Sequence, residues 1–203
     1  KKLEIIKSMG LNQTKPIILV FGGSQGAKRI NDAIIEIIKE KMNQKYQIMW
    51  ATGPKQYDII KEELDNYHIN INHIENTKIV PYIYNMKEIM NVVDVIVARS
   101  GAMTITEIAN LGKPSILIPL PNVSHDHQLY NAKVLEDVNA AKIILDNTVQ
   151  GKILNETIEE IIKDKAKMKK MGQQALTIGT SNVEEKIYSE VKKLLIVKRE
   201  KNV

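Results

Sequence analysis

Two glycine-containing segments of the sequence have the residue types of anion-binding turns. Gly22-Gly23-Ser24-Gln25-Gly26 follows the apolar run Ile17–Phe21, and Arg99-Ser100-Gly101 follows the predicted strand Val93–Ala98. A helical pattern begins after each segment. Glycine allows the backbone to approach a ligand closely, and a helix N-terminus offers unpaired N–H groups and a positive dipole end. One such segment is equally consistent with a phosphate site and a plain turn, but two of them favour a diphosphate site.

Neither segment is a standard nucleotide-binding motif. No Gly-Lys-Ser or Gly-Lys-Thr follows the first segment, so it is not a Walker loop. Its glycine spacing is not Gly-x-Gly-x-x-Gly, so the usual dinucleotide fingerprint is excluded as well.

Glu107 lies one turn into the helix predicted after the second segment. A carboxylate there can accept hydrogen bonds from the two neighbouring hydroxyls of a ribose. The residue alone is explained more simply as a solvated acid near the positive end of a helix dipole. Both interpretations stay open at the level of the single residue.

Two further polar segments follow predicted strands. The stretch from Pro119 to Gln128 contains His125, Asp126 and His127, but no additional ligand cluster supports a metal site there. Asp126 fits a helix N-cap, and we expect the Gln128 amide to bond sugar hydroxyls. The irregular segment Pro81–Met86 could present backbone groups to the edge of a flat heterocycle.

Short apolar runs that alternate with helical patterns must position these segments. The predicted strands are Ile17–Phe21, Tyr46–Ala51, His68–Ile74, Thr77–Val80, Val93–Ala98, Ser115–Ile118 and Ala141–Leu145. The predicted helices are Ala27–Ile38, Lys55–Leu64, Asn85–Val92, Met103–Leu111 and His127–Val138. From Gln150 onward the sequence is predicted to be helical, with a capping box at Ser181 and Glu184 and an apolar stripe from Val183 to Leu195. This alternation predicts a doubly wound α/β domain, Rossmann-like, with a parallel sheet and one domain over residues 1–203. Ligands of such sheets bind beyond the carboxyl ends of the strands.

The composition narrows the class of protein. The chain has 203 residues, 43% of them hydrophobic, and no cysteine, which excludes disulfides and thiolate chemistry. No apolar run reaches the roughly 20 residues of a membrane span, and no signal peptide is recognisable, so we do not expect export. The net charge is +5, yet only three basic residues are arginines and only 4% of residues are aromatic. A solvated lysine-rich surface, or a basic face for an anionic membrane, therefore fits better than nucleic-acid binding.

Taken together, these segments resemble the C-terminal, nucleotide-sugar-binding domain of the MurG family of peptidoglycan glycosyltransferases. That family adds N-acetylglucosamine to undecaprenyl-diphosphate-linked N-acetylmuramoyl-pentapeptide. The resemblance rests on Gly22–Ala27, Arg99–Glu107, Gly112-Lys113-Pro114 with Ile118-Pro119, and Asp126-His127-Gln128 with Asn131-Ala132.

The resemblance implies the C-terminal lobe of a GT-B fold and a set of donor contacts. It implies that Ser24 contacts the diphosphate, that Ile83 meets the uracil through its backbone, and that Glu107 holds the ribose. It also implies that Ala102, Met103 and Thr104 contact the diphosphate and that Gln128 contacts the N-acetylglucosamine hydroxyls. The matching stretches add Gln25, Arg99, Ile105 and Thr106 to the predicted substrate-binding set.

The resemblance also implies what this chain lacks. The family's N-terminal lobe, with its Gly-Gly-x-Gly-Gly-His loop and its acceptor site, has no counterpart here, so we expect no catalytic residue in this chain and no activity without that lobe. The donor is a substrate, and no metal or other cofactor is expected. The implied partners are UDP-N-acetylglucosamine, the lipid-linked acceptor held by the missing lobe, and the inner face of the cell membrane, to which the cytoplasmic enzyme binds peripherally. Two alternatives remain: a separate donor-binding subunit of a two-part UDP-sugar transferase, and a non-catalytic nucleotide-binding module.

Overall fold

The computed structural model describes residues 2–121 and 127–179. The strands are β1 (Ile17–Phe21), β2 (Gln47–Ala51), β3 (Thr77–Val80), β4 (Val95–Ala98), β5 (Ser115–Leu117) and β6 (Ala141–Ile143). The helices are α1 (Lys2–Ser8), α2 (Lys28–Lys39), α3 (Pro54–Asn66), α4 (Met86–Val92), α5 (Ala102–Leu111), α6 (His127–Glu136), α7 (Gly151–Ile162) and α8 (Lys165–Ile178).

The strands of the described residues form one parallel sheet in the order β3-β2-β1-β4-β5-β6. The chain first builds outward from β1 to β3, then crosses back and builds outward in the other direction from β4 to β6. The order therefore reverses between β1 and β4, and these two neighbours leave a crevice beyond their carboxyl ends. The fold class predicted from the sequence is confirmed.

The four central strands β1, β2, β4 and β5 are buried at every residue, which explains why they are almost entirely apolar. The two edge strands β3 and β6 are partly exposed, and each carries a lysine, Lys78 or Lys142. Alternate residues of β1 point to opposite faces, so that Ile18 and Val20 join one core while Leu19 and Phe21 join the other. The first core contains side chains of α2, α3 and α7. The second core contains side chains of α1, α4, α5 and α6, and α8 contributes to both.

Most predicted elements agree with the structure to within two residues at each end, but the predicted strand His68–Ile74 is wrong. His68 has a positive φ of 60°, and the Asn70 side chain accepts a hydrogen bond from the Asn72 N–H at 2.9 Å. These turns bury Ile71 without pairing the backbone to the sheet. The apolar residues of this segment therefore produced the pattern of a strand without its hydrogen bonds.

Helix α1 was not predicted, because its seven residues are too few to show a helical period. Only Ile6 of this helix is buried. The predicted capping box at Ser181 and Glu184, the stripe after it, and His125 and Asp126 all lie outside the described residues. The extension of a single domain over residues 1–203 stays a prediction.

The Gly112-Lys113-Pro114 motif stabilises the edge of the sheet opposite the crevice. Gly112 ends α5 with a left-handed φ of 60°. The Lys113 Nζ donates to the carbonyl oxygens of Asn91 and Val93 at 2.8 Å each, at the end of α4. Burial lowers the pKa of Lys113, Lys2 acts in the same direction, and Asp94 opposes them. The motif thus holds α5 and β5 against α4 and does not belong to the crevice.

Candidate donor-binding site

The two glycine turns lie side by side at the point where the strand order reverses. Strands β1 and β4 pair directly, with Phe21 opposite Ala98 at their carboxyl ends. The turn from Gly22 to Gly26 leaves the first strand, and the turn from Arg99 to Gly101 leaves the second. The expectation that both turns meet at the same edge of one sheet is confirmed, and their direct adjacency is a finding of the structure.

The first turn is tightly folded and rests on the end of β2. Gly23 and Gly26 have φ values of +89° and +79°, and the Gly26 N–H donates to the Gly23 carbonyl at 3.1 Å. A Cβ atom at Gly26 would lie 2.2 Å from the Thr52 carbonyl oxygen. Ser24 and Gln25 are exposed at the tip of the turn. Glycine is thus required here both for the backbone conformation and for the close approach.

Helix α2 begins directly after this turn without a side-chain cap. Its N-cap residue is Ala27, whose side chain cannot accept a hydrogen bond, so the first N–H groups of α2 have no side-chain acceptor. Uncapped N–H groups and the helix dipole together favour an anion at this position.

Asn31 is a supporting residue of this turn that the sequence analysis missed. It is buried, its Nδ2 donates to the Thr52 carbonyl at 3.0 Å, and its Oδ1 accepts from Trp50 Nε1 at 3.0 Å. These bonds tie α2 to the end of β2 and satisfy the buried amide. The available signal was an asparagine adjoining Ile30 within the apolar stripe of a predicted helix.

The second turn starts α5 in the same way. Gly101 is the N-cap in an extended conformation and offers no side-chain cap. Ala102 and Met103 are exposed, Met103 by 74%, and Thr104 is half-buried. The predicted contact residues of this turn thus lie at an open helix N-terminus beside the N-terminus of α2.

Two other predicted residues of α5 have restricted roles. The side chain of Ile105 packs in the core, so only its backbone is available to a ligand. The Thr106 hydroxyl donates to the Ala102 carbonyl at 3.0 Å, within the helix. Their membership of the donor site stays a prediction.

Glu107 lies three residues after Thr104, on the same side of α5. It is half-buried, and among the described residues no hydrogen bond or ion pair engages its carboxylate. A half-buried carboxylate without protein partners can accept hydrogen bonds from a ligand.

Gln128, at the start of α6, joins the second turn to the segment after β5. The Ser100 hydroxyl donates to the Gln128 carbonyl at 2.7 Å, and Asn131 Nδ2 donates to the Ser100 carbonyl at 3.0 Å. The Leu120 N–H donates to Gln128 Oε1 at 3.0 Å. The side-chain oxygen of Gln128 is therefore engaged by protein, which leaves its NH₂ group as the donor for a hydroxyl.

Arg99 has internal partners. Its side chain is 11% exposed, and its Nη1 donates to the carbonyl oxygens of Ile118 and Pro119 at 3.0 and 3.3 Å. The same atom lies 2.6 Å from Asp146 Oδ1. A direct contact of this guanidinium with a donor would require it to leave these partners, so the geometry favours a supporting role.

The segment after β3 lies at the same edge of the sheet. The side chain of Ile83 is buried in the second core, whereas Tyr82 and Tyr84 are exposed with their rings 5.1 Å apart. Among the described residues, no hydrogen bond uses the backbone N–H or C=O of Ile83. One free donor and one free acceptor fit the edge of a heterocyclic base.

Within residues 2–121 and 127–179, no group of three or more histidine, aspartate or glutamate residues could hold a metal ion. In the same part of the chain, no helix has the length and apolar character needed to cross a membrane.

An open parallel sheet with two uncapped helix N-termini at its point of reversal is a doubly wound, Rossmann-like domain with a ligand site at the crevice. The family model for the glycosyltransferase family 28 C-terminal domain matches residues 17–191. The chain therefore belongs to glycosyltransferase family 28 and corresponds to its C-terminal domain.

The relatives of the chain are consistent with this assignment. A transferase of Desulforamulus reducens, named as a UDP-N-acetylglucosamine–N-acetylmuramyl-(pentapeptide) pyrophosphoryl-undecaprenol N-acetylglucosamine transferase, is 40% identical over 95% of this chain and 51% of its own length. The transferase of the same name from Acetivibrio thermocellus is 37% identical over 93% of this chain and 50% of its own. The crystal structure of Acinetobacter baumannii MurG matches with a TM-score of 0.75 and 27% identity, covering 89% of this chain and 52% of that chain. The chain spans about half the length of the relatives it matches.

Proposed function

We propose that this chain is the donor-binding lobe of an inverting glycosyltransferase. Its donor is UDP-N-acetylglucosamine, and the acceptor is undecaprenyl-diphosphate-N-acetylmuramoyl-pentapeptide of peptidoglycan synthesis. The observation that carries the proposal is the pair of uncapped helix N-termini at adjacent strand ends, in a chain of this family. The names of the relatives support the choice of donor and acceptor.

Different residues around the crevice bind different parts of the donor. The N–H groups that begin α2 and α5, with Ser24 and Thr104, bind the diphosphate. Glu107 accepts hydrogen bonds from the ribose hydroxyls, and the backbone of Ile83 pairs with the uracil. The NH₂ group of Gln128 donates to a hydroxyl of the N-acetylglucosamine.

The chemical contribution of this lobe is to stabilise the departing UDP. Negative charge develops on the diphosphate as the glycosidic bond breaks, and oriented N–H groups and helix dipoles stabilise it without reorganising. The acceptor hydroxyl needs a general base, and the proposal assigns that base to the other half of the full-length protein. The chain by itself is therefore expected to bind donor without transferring the sugar.

The setting follows from the same proposal. The full-length protein acts in the cytoplasm, bound peripherally to the inner face of the membrane where its lipid-linked acceptor lies. Most basic residues of the chain are lysines. A lysine-rich surface suits an anionic lipid bilayer better than nucleic acid.

Donor binding should be independent of divalent metal, because N–H groups and helix dipoles supply the positive potential that a metal would otherwise provide. Calorimetric titration of the chain with UDP should give dissociation constants within about 2-fold of each other in EDTA and in magnesium, a difference of about 0.4 kcal/mol. Binding that is lost in EDTA and restored by magnesium would contradict the site described here.

A further inference from the structure

The ion pair of Arg99 and Asp146 connects three strands at the carboxyl edge of the sheet. Arg99 follows β4, and Asp146 lies in the loop after β6, 47 positions later. Their side chains are only 11% and 14% exposed, with Nη1 and Oδ1 2.6 Å apart. A nearly buried guanidinium requires a compensating charge, and Asp146 supplies it. Its Oδ1 is buried and accepts no hydrogen bond from the described residues, so the ion pair with Arg99 is what compensates this carboxylate in turn.

Arg99 in turn holds the end of β5. Its Nη1 binds the carbonyl oxygens of Ile118 and Pro119, the two residues that follow the last residue of that strand. The next residue, Leu120, donates its N–H to Gln128 Oε1. A continuous series of contacts therefore leads from Asp146 through Arg99 and the β5 end to the side chain proposed to bind the sugar.

The backbone of Arg99 belongs to the other part of the site. It starts the turn that leads through Ser100 to Gly101 and the N-terminus of α5, which is proposed to bind the diphosphate. Arg99 thus belongs to both ends of the site. Its backbone is part of the diphosphate end, and its side chain contacts the sugar end. The spacing of these two ends decides whether both parts of a nucleotide sugar are bound at once.

We propose that Asp146 is a positioning residue that acts through Arg99 to set the sugar end of the donor site relative to the diphosphate end. This inference rests on the proposed function. It assigns Asp146 a role in the preference for the nucleotide sugar over the free nucleotide, without contact to either. In this proposal the Arg99 guanidinium does not contact the ligand, and it supports the residues that do.

The test compares the affinities of the wild-type chain and of Asp146→Asn for UDP and for UDP-N-acetylglucosamine. The substitution keeps the size of the side chain and removes its charge. We expect it to weaken nucleotide-sugar binding about 5-fold more than UDP binding, a coupling within the range of residues that act at a distance. Asp146→Glu, which keeps the charge, should recover part of the loss.

A double-mutant cycle separates positioning from general destabilisation. If Asp146 acts through Gln128, the losses of nucleotide-sugar affinity in Asp146→Asn and Gln128→Ala should not add in the double variant. Arg99→Lys provides the same comparison with the charge retained if Asp146→Asn does not fold. Equal losses for UDP and UDP-N-acetylglucosamine, or fully additive losses, would overturn the inference and leave the proposed function standing. Absence of binding of both ligands to the wild-type chain would overturn both.

Discussion

Replacement of Glu107 by alanine is expected to weaken UDP binding about 10- to 100-fold. The half-buried carboxylate has no hydrogen-bond or ion-pair partner among the described residues and lies one turn into the helix that begins at the second glycine turn. Hydrogen bonds to a charged group contribute about 1.5–3 kcal/mol, which corresponds to this loss of affinity. Glu107→Gln should lose less, because one acceptor oxygen remains. Titration of UDP against the wild type and both variants measures the effect.

Two controls distinguish a ligand contact from an ordinary helix acid. Thermal unfolding of Glu107→Ala should show a change in stability below about 0.5 kcal/mol, as for a surface substitution. Glu63, a half-buried glutamate of α3, provides the matched variant Glu63→Ala, whose UDP affinity should equal that of the wild type. Unchanged affinity in Glu107→Ala would remove the ribose assignment.

The second large effect is expected for Gly26→Ala, which should reduce UDP affinity about 10- to 100-fold, because hydrogen bonds to a charged group contribute about 1.5–3 kcal/mol and the turn would no longer make them to the diphosphate. The new Cβ would lie 2.2 Å from the Thr52 carbonyl, which Asn31 holds in place. The turn must then move, and with it Ser24 and the N-terminus of α2. An alanine held at the positive φ of Gly26 also adds strain of about 1–3 kcal/mol to the folded state of the variant. UDP titration and thermal unfolding of this variant measure the two effects separately.

Two other glycines separate backbone strain from displacement of the turn. Gly10 has a φ of +71° and no atom within 4 Å of an added Cβ, and it lies before β1, outside both turns. Gly10→Ala should therefore lower stability without changing UDP affinity. Gly23 has a φ of +89° and is equally uncrowded but belongs to the turn, so that Gly23→Ala should fall between the other two variants. Equal UDP affinities of Gly26→Ala and Gly10→Ala would contradict a role of the first turn in donor binding.

The local patterns of the sequence were sufficient for the fold class and for the placement of both glycine turns. All strands of a parallel sheet end at the same edge. Polar residues that directly follow strands could therefore be assigned to that edge. The order of the strands was not predicted. The adjacency of β1 and β4, which brings the two turns together, arises from a crossover that no local pattern contains.

The contacts that support the site could not be predicted from the sequence, because they also join residues that are distant along the chain. Arg99 was assigned to the donor because it stands in the second turn, but its side chain turns toward Asp146 and the end of β5. The orientation of the Arg99 side chain depends on which groups the fold brings close to it, and Asp146 is 47 positions away in the sequence. Asn31 was hidden similarly, because its two partners lie on β2 and in the segment after it.

The central claim is that this lobe selects a uridine-diphosphate sugar, and a competition experiment tests it most directly. A fluorescent UDP derivative bound to the chain is displaced by increasing concentrations of UDP-N-acetylglucosamine, ATP or NAD, with EDTA present throughout. A site that reads the pyrimidine edge through one backbone N–H and one C=O rejects a purine, whose hydrogen-bonding edge differs. The account predicts displacement by UDP-N-acetylglucosamine and none by ATP or NAD at the same concentrations. Displacement by ATP or NAD as effective as that by UDP-N-acetylglucosamine would contradict it.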